Sequence, residues 1–104
     1  MSDDKEWRKY SSSEIRDNLA KLKNWKLEKG KLHRDLELQS FEDAVAFMVR
    51  ASLEISKLDH HPEWFNVYNQ VRIDLTTHEL GGITGYDFML ARKLEALAKA
   101  FHTK

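Results

Sequence analysis

The sequence predicts an α+β fold, a four-stranded antiparallel sheet with helices packed on one face, in the order α-β-β-α-β-β-α. Three patterns predict it. Apolar residues recur at helical spacing in three separate stretches. Between them lie two stretches where apolar and polar residues alternate, each split by a turn-forming tripeptide. Strands joined as hairpins pair antiparallel, and a sheet with one apolar face needs helices on that face alone.

The elements follow in order. Residues 1–10 are mostly charged and polar and read as a flexible N-terminal leader, with a single domain over residues 11–104. Ser11 and Glu14 have capping-box spacing, and Ile15, Leu19 and Leu22 continue a helix expected to end near Lys23. Trp25 and Leu27 begin a strand, Lys29-Gly30-Lys31 turns it, and Leu32, Leu36 and Leu38 mark the apolar parity of its partner. Arg34 breaks that parity, while His33, Asp35 and Glu37 lie on the polar one.

After Ser40, the residues Phe41, Ala44, Val45, Met48, Ala51, Ser52 and Ile55 form a helical stripe, giving a helix over 41–58. Asp59-His60-His61-Pro62 ends it, because proline disfavours helical geometry in the residue before it. Phe65 and Val67 mark a short strand, with Phe65 expected in the core, and Tyr68-Asn69-Gln70 turns it. Val71, Ile73, Leu75 and Thr77 alternate with Arg72, Asp74, Thr76 and His78, placing His78 on the polar face at the strand end. Gly81-Gly82 forms a loop, Thr84 and Asp87 repeat the capping-box spacing, and a last helix runs to about 102. Phe47 and Leu53 on the middle helix, with Leu90 and Leu97 on the last, are apolar beyond what one sheet face needs. That surplus points to burial against another copy of the chain, a dimer or tetramer.

Composition narrows the function. The 104 residues suffice for one core, burying about two-thirds of the chain's surface. Seventeen Lys+Arg balance seventeen Asp+Glu, so no overall charge draws the chain to nucleic acid or to an anionic membrane. There is no cysteine, which excludes disulfides, thiolate metal sites and cysteine nucleophiles. No apolar run approaches the roughly 20 residues of a membrane span, and a cytoplasmic location is the expectation.

Histidine carries the remaining chemistry, because its ordinary pKa near 6.5 lets it give and take protons at neutral pH. His60 and His61 are adjacent at a helix end, and His78 can return to the same sheet edge. Three readings fit this spacing: contact with the terminal carbonyls of the helix, a metal site, and general acid-base work. The pair lacks the usual helical ligand spacing for a metal, and no fitting carboxylate accompanies it. His33 and His102 read as solvated surface residues. Trp64 fits equally as core or as the wall of a pocket for a flat ring, and Asp87 is first the capping partner of Thr84.

The stretch from Lys57 to Asn69, through Asp59, His60, His61, Pro62, Glu63, Trp64 and Phe65, closely resembles the core of the pterin-4a-carbinolamine dehydratases. The resemblance continues through Val71, Ile73, Leu75, Thr76, Thr77, His78 and Glu79. In that family two histidines (or His-Asn) precede proline, an aromatic follows after five positions, a histidine after nine more, and an aspartate after eight. His60, His61, Pro62, Tyr68, His78 and Asp87 fall in those places. Two positions depart. Ser56 stands four residues before His60, where the family often has glutamate, and Tyr86 stands where it has a basic residue.

The resemblance implies an enzyme that removes water from 4a-hydroxytetrahydropterins, the products of aromatic amino acid hydroxylases, to give quinonoid dihydropterin for recycling. It implies no cofactor and no metal, dimers or tetramers, and in animal relatives a second role with a homeodomain transcription factor. It also implies catalytic roles for His60, His61 and His78. His61 would be the main proton donor or acceptor, His78 would complete the pair, and His60 would orient the pterin with help from Asp59. Pro62, Trp64, Thr76, Thr77, Glu79 and Asp87 would surround the substrate. The three imidazoles are thereby expected to converge on one small hollow. A weakly active or non-catalytic pterin-binding or transcription-partner module on the same fold is the alternative.

Overall fold

A computed structural model describes residues 5–104. The elements are α1 (Ser12–Leu19), β1 (Lys26–Glu28), β2 (Lys31–Glu37), α2 (Phe41–Leu58), β3 (Glu63–Val67), β4 (Gln70–Leu75) and α3 (Gly85–Ala100), with a single 3-10 turn at His78–Leu80. The strands form one antiparallel sheet in the order β1-β2-β4-β3.

Each boundary has a local cause. Ser11 and Glu14 complete the capping box of α1. Ser40 caps α2 through the Asp43 amide, and Asp59 closes it in the left-handed region at φ 52°. Lys29 and Gly30 both take positive φ, as the two-residue loop joining β1 to β2 requires. The first helix stops at Leu19 rather than near Lys23. From there the chain turns through bonds from Lys21 to Asn18, Leu22 to Leu19 and Trp25 to Leu22, which swing Leu22 and Trp25 into the core.

The core lies between sheet and helices. Leu32, Leu36, Val71, Ile73 and Leu75 supply the sheet side; Ala44, Phe47, Ala51 and Ile55 on α2 and Phe88, Leu90, Ala91, Leu94 and Ala98 on α3 supply the other. Phe47 and Leu90, expected among the surplus apolar residues, are consumed inside this one chain, and Leu97 packs at its edge. Leu53 stays exposed in a stripe with Phe41, Val45 and Val49 at four-residue spacing along α2.

Arg34, the break in the apolar parity, is accommodated by charge. Its Nε donates to Glu95 on α3 at 2.9 Å, and the same carboxylate takes the Trp25 indole N–H at 2.8 Å. The expectation for Phe65 was wrong by one parity step. Trp64 pairs with inward-facing Ile73 and packs on the core, whereas Phe65 pairs with Arg72 on the open face and is 55% exposed. His33 is also not a surface residue. It sits between Lys26 of β1 and Asp74 of β4 and retains 5% exposure.

Candidate active site

Strand β4 ends at Leu75, three residues before His78. Thr77 forms a bridge with Gly82, its amide donating to the Gly82 carbonyl at 2.9 Å, and the loop between them winds into the 3-10 turn. His78 therefore opens a turn instead of ending a strand face.

Two carboxylates join this turn to the segment that follows α2. Asp87, in the first turn of α3, has no exposed surface. Its Oδ1 accepts from His60 Nε2 at 2.6 Å, and its Oδ2 accepts from the Thr77 hydroxyl at 2.8 Å and the Thr84 amide at 2.9 Å. Thr84 in turn donates to Thr77 across 2.9 Å. One carboxylate thus caps α3, holds His60 and anchors the residue before His78. The second bridge is Glu63, two residues after His61. Its Oε2 lies 3.0 Å from His78 Nε2 and its Oε1 accepts from Lys31 Nζ at 2.6 Å. Hydrogen bonds from Lys31 and then His78 hold the Glu63 carboxyl below the usual carboxylate range.

The histidines differ sharply in environment. His60 is buried at 6% exposure, with the rings of Trp7 and Tyr86 edge-on to it at centroid distances of 6.4 and 5.9 Å. The side chains of His61 and His78 are 66% and 73% exposed. Asp59, expected beside His60, faces His61 instead at 3.3 Å. Of the expected substrate residues, Thr77 and Asp87 are buried, Pro62, Trp64 and Thr76 are half-buried, and Glu79 is exposed. Asp87 and Glu63 thus tie the His60–Glu63 segment to the Thr77–His78 turn, and the three imidazoles differ in depth. Two surface grooves lie elsewhere: one on the open sheet face beside Phe65 and Arg72, the other between α2 and α3 beside Ser56 and Lys93.

Residues 5–10, expected within a flexible leader, lie along the start of α3; residues 1–4 are outside the described residues. Lys9 bridges Thr84, the Tyr10 amide donates to the Ile83 carbonyl at 2.7 Å, and the Gly85 amide donates to the Glu6 carbonyl at 3.0 Å. The Tyr10 hydroxyl donates to Glu6, and burial with that bond pushes its pKa up to about 12. This segment delivers Trp7 to His60. Sequence reasoning passed over Trp7, Tyr86, Thr84 and Glu63 as site residues. Glu63 carried a signal in its place directly after His-His-Pro, Tyr86 in standing where the resembled family has a basic residue, and Thr84 in its capping-box spacing to Asp87; Trp7 carried none.

A helix-covered antiparallel sheet with the His60–Asp87 pair buried at its edge, and the exposed His61 and His78 each facing a carboxylate there, defines a small α+β protein. Comparison with known proteins names the family. The model for pterin 4 alpha carbinolamine dehydratase matches residues 8–97, and the chain belongs to that family. A relative from Solibacter usitatus, whose name assigns it to the pterin-4-alpha-carbinolamine dehydratases, is 52% identical over 90 residues, covering 86% of this chain and 95% of its own. One from Chelativorans, likewise named, is 47% identical over 92 residues, covering 86% and 94%. The crystal structure of a transcriptional coactivator/pterin dehydratase from Brucella melitensis superposes with a TM-score of 0.84 at 40% identity, covering 88% of this chain and 99% of that one.

Proposed function

We propose that His61 and His78 exchange the protons of the dehydration while His60, fixed by Asp87, holds the pterin side of the site. The chain is a hydro-lyase that converts a 4a-hydroxytetrahydropterin to quinonoid dihydropterin. The reaction asks for two proton transfers. One group removes the ring N–H proton, and that electron pair forms the C=N bond. The ring C–O bond breaks, and a second group delivers a proton so that hydroxide leaves as water. Neutral and protonated imidazoles serve both needs, and such help is worth roughly 10²–10⁴-fold in rate.

The observation that carries this reading is the pair of carboxylate bridges. Asp87 links His60 to Thr77, and Glu63, two residues past His61, links to His78. All three histidines therefore belong to two short segments tied together twice. The exposed His61 and His78 are open to substrate. The fully buried Asp87 acts through His60 and not on the substrate itself.

Stopped-flow absorbance with freshly generated carbinolamine tests the reading. The protein should accelerate decay over buffer, and His61→Ala should remove about 10²-fold of that acceleration. Decay at the buffer rate with both proteins would overturn it, and pterin binding without turnover would leave only a binding module.

The exposed apolar stripe Phe41, Val45, Val49 and Leu53 supports a homodimer or homotetramer. Light scattering should give a mass above one chain, reduced by Val49→Asp. The balanced charge supports neither nucleic-acid nor membrane association, in keeping with a cytoplasmic role in pterin recycling. Among the described residues, no helix is long and apolar enough to cross a membrane.

A further inference from the structure

We propose that Glu63 is a positioning residue for His78, and that the site works through Nδ1 of its histidines. The proposal rests on the assignment of His78 to proton transfer made above.

A carboxylate selects the tautomer of a neutral imidazole. An ionised carboxylate only accepts, so the ring nitrogen it meets must carry the hydrogen. At His78 that nitrogen is Nε2, bonded to Glu63. At His60 it is Nε2, bonded to Asp87, and at His61 it is Nε2, facing Asp59. Three rings from two segments are thus engaged on the same atom, which leaves Nδ1 as the remaining nitrogen of each. In the neutral ring Nδ1 bears the lone pair and takes a proton; in the charged ring it bears the proton to give.

Glu63 is suited to this task because it is held from both sides. Its backbone is the first residue of β3, directly after Pro62, and its second oxygen is bonded to Lys31 of β2. Lys31 fixes the carboxylate, the carboxylate fixes the ring, and the ring stands beside the His61 segment. His78 has no such support from burial, since its side chain is 73% exposed. Exposed ion pairs of this kind add little to stability. The effect of losing Glu63 must therefore appear in turnover and in the ring, not in the unfolding curve.

The test compares Glu63→Ala, Glu63→Gln and Lys31→Met with the intact protein, with His78→Ala as the control for the site. Stopped-flow kinetics give kcat and KM, and heteronuclear NMR of the His78 ring nitrogens reports which one carries the hydrogen. Glu63→Ala should lower kcat about five- to tenfold, a fraction of the full acid-base contribution, with KM within about twofold. Its His78 should lose the preference for hydrogen on Nε2. Glu63→Gln, whose side-chain carbonyl still accepts, should keep most of both, and Lys31→Met should fall between. Glu63→Ala with unchanged kcat, or with His78 still preferring Nε2–H, would overturn the proposal while leaving His78 catalytic if His78→Ala is slow. A His78→Ala protein as fast as the intact one would instead overturn the reading of the site, and this proposal with it.

Discussion

His33 and His60 are both buried imidazoles paired with an aspartate, and they differ in how many of their nitrogens meet a carboxylate. His33 sits mid-sheet, its Nδ1 bonded to Asp74 at 2.7 Å and its Nε2 lying 3.0 Å from the Asp35 carboxylate. Both nitrogens face a carboxylate, and burial, which alone would lower its pKa, does not prevent these contacts from raising it above the ordinary value. His60 commits one nitrogen to Asp87 and stands at the sheet edge beside His61 and Thr77. Under the proposed reading, burial and an acidic partner therefore do not distinguish a structural histidine from a functional one. The number of engaged nitrogens and the neighbours do.

The contrast breaks most visibly at the two aspartates. Asp87→Ala should destabilise the fold by about 3–5 kcal/mol, because it strips a buried network of its acceptor, and should also abolish most turnover. Asp74→Ala, on a partly exposed group, should cost about 1–2 kcal/mol in urea unfolding and leave turnover intact. Equal losses of activity in the two variants would erase the distinction.

Gly85→Ala sharpens the contrast from the other side. A Cβ there would come 2.7 Å from Glu6 Cβ and 2.8 Å from the Tyr10 hydroxyl, pushing the segment that carries Trp7 away from His60. Stability should fall by about 1–2 kcal/mol, and turnover should fall with it, while the His33 cluster is untouched.

The smallest effect concerns pH. The folded pKa of His33 is raised, so its charged ring stabilises the fold fully below the unfolded value near 6.5. That contribution fades as pH rises through the folded value. Urea midpoints measured from pH 6 upward should decline over this window, and His33→Gln should flatten the decline. Glu14 gives an opposite limb. A hydrogen bond from Arg8, followed by one from the Ser11 amide, lowers its pKa to about 2, so its support is lost as pH falls from near 4.5 toward that value.

Much of this was legible in the chain. The bounds of α2 follow from the Ser40 cap, the apolar stripe and the stop at Asp59-His60-His61-Pro62. Both capping boxes appear as spaced, and the stretches whose sequence resembles the family carry the three histidines and Asp87. What stayed hidden depends on partners far along the chain. Alternation assigns His33 to a face, but its burial is created by neighbours on two other strands. Asp87 reads as a cap because its second partner, His60, lies 27 residues away. Trp7 belongs to no periodic pattern and reaches the site only because Glu6 and Lys9 are pinned to the start of α3.

The most direct measurement sets His78→Ala beside His33→Gln in the same stopped-flow assay of carbinolamine decay. His78→Ala should lose about 10²-fold or more of the acceleration, and His33→Gln should stay within about twofold of the intact protein. A fast His78→Ala with a slow His33→Gln would contradict it.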